Sequence, residues 1–559
     1  MIFSFQAFQF LFILFSYFKP FDFFDFHFVF TGAEAVIFIR FQGKAIMFSR
    51  VCSAALCGIE AKPVSVEVDV SDGLPVINMV GDLSANVREA RDRVRTAIHN
   101  EGIRFPVKRI TINLSPADFH KEGTGFDLPI AIGMMASMGM VNPGRLEKVM
   151  FAGELGLNGQ LAPVRGILQM TECARLGGCQ TCIVPMKNLA EGSAVCGIRV
   201  LGAESLHDVL LYLAGRKELA QKAINIEEMH KHQLIGCQSD FKDLKGQRTV
   251  RRAAEVAVAG LHNLLLIGPP GSGKTMTAQR IPSILPEMTP EEILEVSRIH
   301  SAAGMLPPEE GLMTVRPFRS PHHTATSAAL SGGGKIPRPG EVSLAHLGVL
   351  YLDELPEFNP QVLEILRGPM EDGRISISRN FGTVTFPADF MLVASMNPCK
   401  CGYFPDRRKC RCTPVQVRNY LSRISQPLLD RIDICVRAEE VKYSDIAGGT
   451  EGECSADIRK RVEKVREIQA QRYEDEPWNY NSALTGSGLE KYCPLGKEER
   501  DYMRGIFELK GLTGRSYTRI IKVARTIADL AGSEDIRLEH LSEAVLYRSL
   551  EKEYWLGGG

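Results

Sequence analysis

No charge of either sign is in surplus along this chain: 66 Lys and Arg stand against 66 Asp and Glu in 559 residues. That balance excludes a pervasive basic field, so any contact with a polyanion must come from local patches. The sequence also lacks an uninterrupted apolar run long enough to span a bilayer. Its nearest approach, Ile2 to Phe18, is broken by Gln6 and Gln9, is followed by Lys19-Pro20, and falls short of the roughly 20 residues required. The basic n-region and small-residue cleavage site of a signal peptide are missing as well. No internal repeat is present, and no low-complexity segment apart from a Phe-rich start. A disulfide framework is missing too: the 14 cysteines are scattered and often unpaired in spacing, which suits a reducing cytosol and predicts a cytoplasmic protein without a membrane partner.

What is there begins with that start. Fifteen of the 28 Phe lie between Phe3 and Phe41, and Met47-Phe-Ser-Arg50 then opens an ordinary globular composition. The mature chain is therefore expected to begin at Met47, with residues 1–46 a Phe-rich extension outside it. The length exceeds one hydrophobic core and suggests about three or four domains. Residues 47–215 mix alternating strands, such as Val64-Ser-Val-Glu-Val-Asp-Val70 and Arg109-Ile-Thr-Ile-Asn-Leu114, with helical runs such as Val87 to Asn100, which predicts an α+β domain. Residues 216–243 are polar and charged and read as a helical linker. Strands and helices alternate over 244–446 as a doubly wound α/β sheet requires. A Gly/Glu/Ser-rich stretch, Ala447 to Ser455, precedes a helical block over 456–554.

The most specific signal is Gly268-Pro269-Pro270-Gly271-Ser272-Gly273-Lys274-Thr275, which spells G-x-x-x-x-G-K-[ST] directly after the apolar run Leu264-Leu-Leu-Ile267. Backbone N–H groups of such a loop and the helix that follows cradle phosphates. Lys274 is expected to reach the β- and γ-phosphates and Thr275 to hold Mg²⁺. A second apolar strand, Val349-Leu-Tyr-Leu352, ends in Asp353-Glu354. Asp353 is expected to hold Mg²⁺ through water, and Glu354 to polarise the attacking water. A third, Met391-Leu-Val-Ala-Ser-Met396, ends in Asn397, an amide suited to orient that water.

Cys399-x-Cys401 and Cys410-x-Cys412 form two short pairs joined by Gly402-Tyr-Phe-Pro-Asp-Arg-Arg-Lys409. Four thiolates facing each other across a loop can close a tetrahedral Zn²⁺ site, although C-x-x-C is the commoner pairing. Cys173, Cys179, Cys182 and Cys196 lack that pairing and read as core or surface thiols.

The three strand-end motifs, with Leu428-Leu-Asp-Arg431-Ile-Asp and a helical lid carrying Tyr517-Thr-Arg519, resemble the magnesium-chelatase-like branch of AAA+ proteins. Within it the chain is similar to the YifB/ComM family of competence-associated ATPases, particularly over Ala325–Gly334 with Pro337-Arg-Pro-Gly-Glu341, and over Leu363–Gly373. The resemblance runs from about Met47 to Leu546. It implies ATP and Mg²⁺ as cofactors and a homo-hexameric ring with ATP between neighbours. Arg431 then resembles an arginine finger supplied in trans and Arg519 a sensor-2 arginine, with Arg423 and Arg525 as competitors.

Two inserts are candidates for contact with single-stranded or branched DNA. Ile375 to Phe386 has a hairpin signal around Arg379-Asn-Phe-Gly382, where the resemblance places a pore hairpin of ring helicases; Arg319-Ser-Pro-His-His323 and Ser331-Gly-Gly-Gly-Lys335 form the other. Lys335 and Arg379 are the cationic tips suited to a phosphate backbone. The N-terminal domain resembles the Lon-protease-like (ribosomal S5 domain 2-like) fold over Lys121–Asp127 and Gly153–Gly166, but Gly125 and Leu168 stand where that family's serine and lysine would be, which disfavours a peptidase. The function so implied is an ATP-driven ring motor on DNA, a helicase or branch-migration activity in the uptake and recombination of foreign DNA. The alternatives are a chelatase-type motor for metal insertion into a tetrapyrrole and an ATP-dependent protease.

Overall fold

Alternation along Glu60–Ser71 puts Val64, Val66, Val68 and Val70 on one face, each at most 5% exposed, so this strand can pair in a sheet only if helices cover that face. The computed structural model, which describes residues 24–31, 34–41, 48–235, 239–334, 337–379, 382–441, 443, 452–551 and 554–555, shows that cover. The chain divides after Ile224 into two compact units.

In the first unit a seven-stranded mixed sheet runs in the order Arg199–Ala203, Thr181–Pro185, Val149–Phe151, Phe48–Cys57, Glu60–Ser71, Arg109–Ser115, Ile77–Val80. Helices Ala85–Asn100, Asp127–Ser137 and Ile167–Leu176 pack on it. Helix Asp127–Ser137 is buried over its whole length, and its Asp127 is held by Arg93 at 2.8 Å. Leu168 is 1% exposed, a core residue. Upstream, Phe24–Thr31 and Glu34–Phe41 pair as an antiparallel hairpin within the segment expected to precede the mature chain.

The second unit is α/β. Five parallel strands lie in the order Phe318–Arg319, Val349–Leu352, Met391–Met396, Leu264–Ile267, Ile434–Arg437. Every residue of Leu264–Ile267, Val349–Leu352 and Met391–Met396 is buried, the continuous apolar run that a parallel sheet covered on both faces demands. The first strand of the unit sits between the fourth and the fifth. The direction in which strands are added therefore reverses beside it, and the crevice at the carboxyl ends opens next to Gly268. Helices Ser455–Arg472 and Gly514–Leu530 share the hydrophobic core of the sheet through Ile458, Val462, Ile520 and Ala524. Helix Ile226–Ile235, in the stretch read as a linker, docks on this unit through Gln233, whose Oε1 accepts from the Thr314 N–H at 2.8 Å. Among the described residues no helix is long and apolar enough to cross a membrane.

Candidate nucleotide-binding site

Three of the buried parallel strands deliver their next residues to one place. The loop after Leu264–Ile267 bends through Gly271 at φ +76° and Gly273 at φ +82°, left-handed conformations that a side chain would strain, and enters helix Lys274–Arg280. Lys274 Nζ donates to the Gly268 and Pro269 carbonyls, both at 2.8 Å, and to Asn397 Oδ1 at 3.2 Å. Burial lowers the pKa of this ammonium, while Asp353 and Glu354 act in the opposite sense.

Thr275 Oγ1 donates to Asp353 Oδ2 at 3.0 Å. The other Asp353 oxygen accepts from the Ser395 hydroxyl and from the Glu354 N–H, the latter at 3.0 Å. Ser395 is itself bonded to Tyr351 at 3.1 Å, so two neighbouring strands fix the carboxylate. A hydroxyl and a carboxylate in contact form the hard-oxygen donor set that Mg²⁺ takes alongside substrate phosphates. Glu354 sits at φ +52°, a region non-glycine residues seldom occupy, and its side chain is exposed at the mouth. Its Oε2 lies 3.8 Å from His323 Nδ1.

Several of these partners belong to no motif in the sequence. Gln247 Nε2 donates to the Ser272 carbonyl at 3.0 Å, bracing the phosphate loop from the helix Arg248–Gly260 side. Ser395 is one serine in an apolar strand. His323 belongs to an insert whose paired histidines could be ligands but whose loop setting favours contact with polymer or backbone. Strand register alone makes Ser395 discoverable, since it is two residues before Asn397 and so shares its face.

The arginines lie elsewhere. Arg431 is 7% exposed, ion-paired with Glu371, and donates to the Pro427 carbonyl at 2.6 Å. Arg423 pairs with Glu357 at 3.1 Å, and Arg525 is locked in the lid by Asp529. Arg519 bonds Asp433 at 2.6 Å, and the Asp433 N–H donates to Asn263, the residue before the phosphate-loop strand. The four-residue strand Leu264–Ile267, rising about 3.3 Å per residue, separates Asn263 from Gly268, so Arg519 is anchored at the far end of the strand from the phosphate loop of its own chain. Burial would raise the Asp433 pKa, but Arg519 and His262 outweigh it and hold the carboxyl far below the usual range. Removing one partner of a buried ion pair costs roughly 3–5 kcal/mol. Arg519→Ala is therefore expected to lower the unfolding midpoint of this unit markedly in a urea titration; an unchanged midpoint would show that the pair does not hold the lid. Arg515, one turn earlier, is 68% exposed and 3.9 Å from Asp430, the residue before Arg431.

The hairpin Arg374–Arg379/Gly382–Pro387 forms in the expected place, with Ile375, Ile377 and Phe386 turned into the core and the Ser376–Thr385 and Ser378–Thr383 pairs outward. Arg379 is exposed and its Nε donates to the Gly334 carbonyl at 3.4 Å, so the two inserts are neighbours. Lys335 lies outside the described residues. Cys399, Cys401, Cys410 and Cys412 converge with all four sulfurs within 4.8 Å of one another.

Known proteins repeat this organisation. The family described as magnesium chelatase, subunit ChlI, matches residues 240–446; subunit ChlI of Mg-chelatase matches 66–188, and the ChlI C-terminal family matches 452–548. The chain is 41% identical over 509 residues to "Competence protein ComM" of Haemophilus influenzae, covering 90% of this chain and 97% of that protein. It is 42% identical over 507 residues to the Escherichia coli protein YifB, with the same coverage. A weaker likeness, 27% over 162 residues, links it to the magnesium-chelatase 67 kDa subunit of Chlorobaculum parvum, covering 28% of this chain and 23% of that one. Such kinship implies ATPase activity with ATP and Mg²⁺. With that identity sustained over nine-tenths of its length, the chain belongs to the ComM/YifB family of magnesium-chelatase-like proteins.

Proposed function

We propose that this protein is a ring-forming, Mg²⁺- and ATP-dependent motor that moves on DNA, with helicase or branch-migration activity. The contact of Thr275 with Asp353 at 3.0 Å, beside Lys274 and Asn397, carries the ATPase part of this reading. Lys274 and the N–H groups of the loop Gly268–Gly273 bind and orient the phosphates. Thr275 and Asp353 would hold Mg²⁺, which would neutralise charge developing on the phosphates. Glu354 orients and polarises the attacking water, and Asn397 fixes its line of approach. Arg431, next to the Asp430 that Arg515 approaches, serves a neighbouring subunit of a hexamer, whereas Arg519 ties the lid to the sheet. The Lon-like N-terminal domain is a ring-assembly or substrate-handling module.

The DNA part rests on the adjacency of the two inserts, exposed Arg379 against Gly334. Cationic tips on a hairpin engage phosphates without reading bases. ATP turnover of the full chain is expected to rise severalfold with single-stranded or branched DNA, to lose that rise with Arg379→Ala, and to show a stimulation that weakens as salt increases. The likeness to a chelatase subunit supports a second reading, a remodelling motor acting on a protein partner. An active ATPase indifferent to every DNA structure would favour that one.

A further inference from the structure

Between Asn397 and helix Pro414–Leu421 the chain runs through 398–413 without helix or strand. Irregular loops longer than about 12–15 residues are uncommon in a compact domain, because ordering them costs conformational entropy that few buried contacts offset. Here Cys399 and Cys410 are buried and Cys401 and Cys412 half-buried at the centre of the loop. Their sulfurs stand 3.3 Å (Cys399–Cys401), 3.8 Å (Cys399–Cys410) and 3.6 Å (Cys401–Cys410) apart. Sulfurs about 2.3 Å from a tetrahedral zinc ion lie about 3.8 Å from one another, so the cluster is close to the size of a ZnS₄ site. The Phe404 N–H points at Cys399 Sγ from 3.4 Å, an outer contact that stabilises a thiolate ligand.

The same loop is seated on the phosphate loop. Gly402, at φ +89°, lies so close to Pro270 that a Cβ on it would stand 2.4 Å from Pro270 Cδ, and a proline ring cannot swing aside. Cys399 is two residues beyond Asn397, which accepts from Lys274. On another side the Phe404 ring meets Tyr554 at 6.0 Å, and Lys409 pairs with Glu440 at 2.8 Å. The loop is thus held between fixed neighbours, and its own interior is the cysteine cluster.

We propose that Cys399, Cys401, Cys410 and Cys412 bind one zinc ion as thiolates and that the resulting knuckle braces the phosphate loop through Gly402 and Pro270, so that nucleotide affinity depends on the metal. The brace rests on the nucleotide-site reading above; the metal site does not. Zinc in the purified full chain, measured by atomic emission, is expected at about one ion per chain. Cobalt taken up in its place should show intense thiolate-to-metal charge-transfer absorbance. Stripping the zinc with a mercurial and a chelator is expected to weaken binding of a fluorescent ATP analogue about tenfold, a modest part of what an ångström of misplacement costs at a preorganised site, and added Zn²⁺ should restore it. Gly402→Ala should keep its zinc yet lose affinity to a similar degree, which separates the brace from general unfolding; Cys401→Ser with Cys412→Ser should lose the zinc. Substoichiometric zinc that these serine substitutions leave unchanged would overturn the metal site. Stoichiometric zinc with the same analogue affinity before stripping, after stripping and in Gly402→Ala would overturn the brace. A zinc-loaded chain that binds no analogue at all would refute the nucleotide site, and the brace with it, while leaving the metal site standing.

Discussion

Glu354→Gln is expected to cut ATP turnover by roughly 10²–10⁴-fold while leaving nucleotide binding nearly intact, because the substitution keeps the shape of the side chain and removes only its power to polarise water. The backbone supports that separation: the Glu354 N–H is fixed on Asp353 Oδ1 at 3.0 Å, and glutamine can occupy the same φ +52° conformation. Lys274→Ala should act differently. It deletes a half-buried cation that touches Gly268, Pro269 and Asn397, so binding and turnover fall together. Steady-state turnover beside equilibrium binding of a fluorescent ATP analogue distinguishes the two losses. Turnover within about fivefold of the parent in Glu354→Gln would move the water-activating role to another group, and His323, 3.8 Å away, would be the first to test.

The strand ends were legible in the sequence because a parallel sheet writes itself as continuous apolar runs, and each run here is followed by the residue that the crevice uses: Gly268 after Ile267, Asp353 after Leu352, Asn397 after Met396. The paired C-x-C spacing likewise made a cluster legible, since short-range pairs need only one turn of the loop to meet. Contacts between segments distant in sequence were not legible. Nothing local in Gln247 says that it will reach Ser272, and nothing in Gly402 says that it will press on Pro270. Arg519 shows the limit most clearly: its place in a lid helix fits a sensor-2 arginine, yet the same helix also presents Arg515, and only the packing shows that Arg519 faces buried Asp433 while Arg515 faces outward. Periodicity gives the face of a helix; it does not say which end of a neighbouring sheet that face covers.

Arg431→Ala is expected to reduce turnover by about 10³-fold or more, the scale of an arginine that neutralises charge on a transferring phosphoryl group. Within one chain Arg431 is ion-paired with Glu371 and bonded to the Pro427 carbonyl, so a purely structural role would produce a loss too. Mixing separates the explanations. In the proposed ring each interface would be heterologous, with one subunit presenting its phosphate loop and the next its Arg431. Chains carrying Arg431→Ala keep Glu354, and chains carrying Glu354→Gln keep Arg431, so co-assembled rings contain some interfaces with both intact. Random assortment of equal amounts leaves about one interface in four complete, and turnover should recover towards that fraction of the parent from two nearly inactive preparations. If Arg431 acts only by holding Glu371 in its own chain, the Arg431→Ala subunit stays defective whatever its neighbour, the mixture is no more active than its parts, and the loss appears instead as a lowered unfolding midpoint of the Arg431→Ala protein alone.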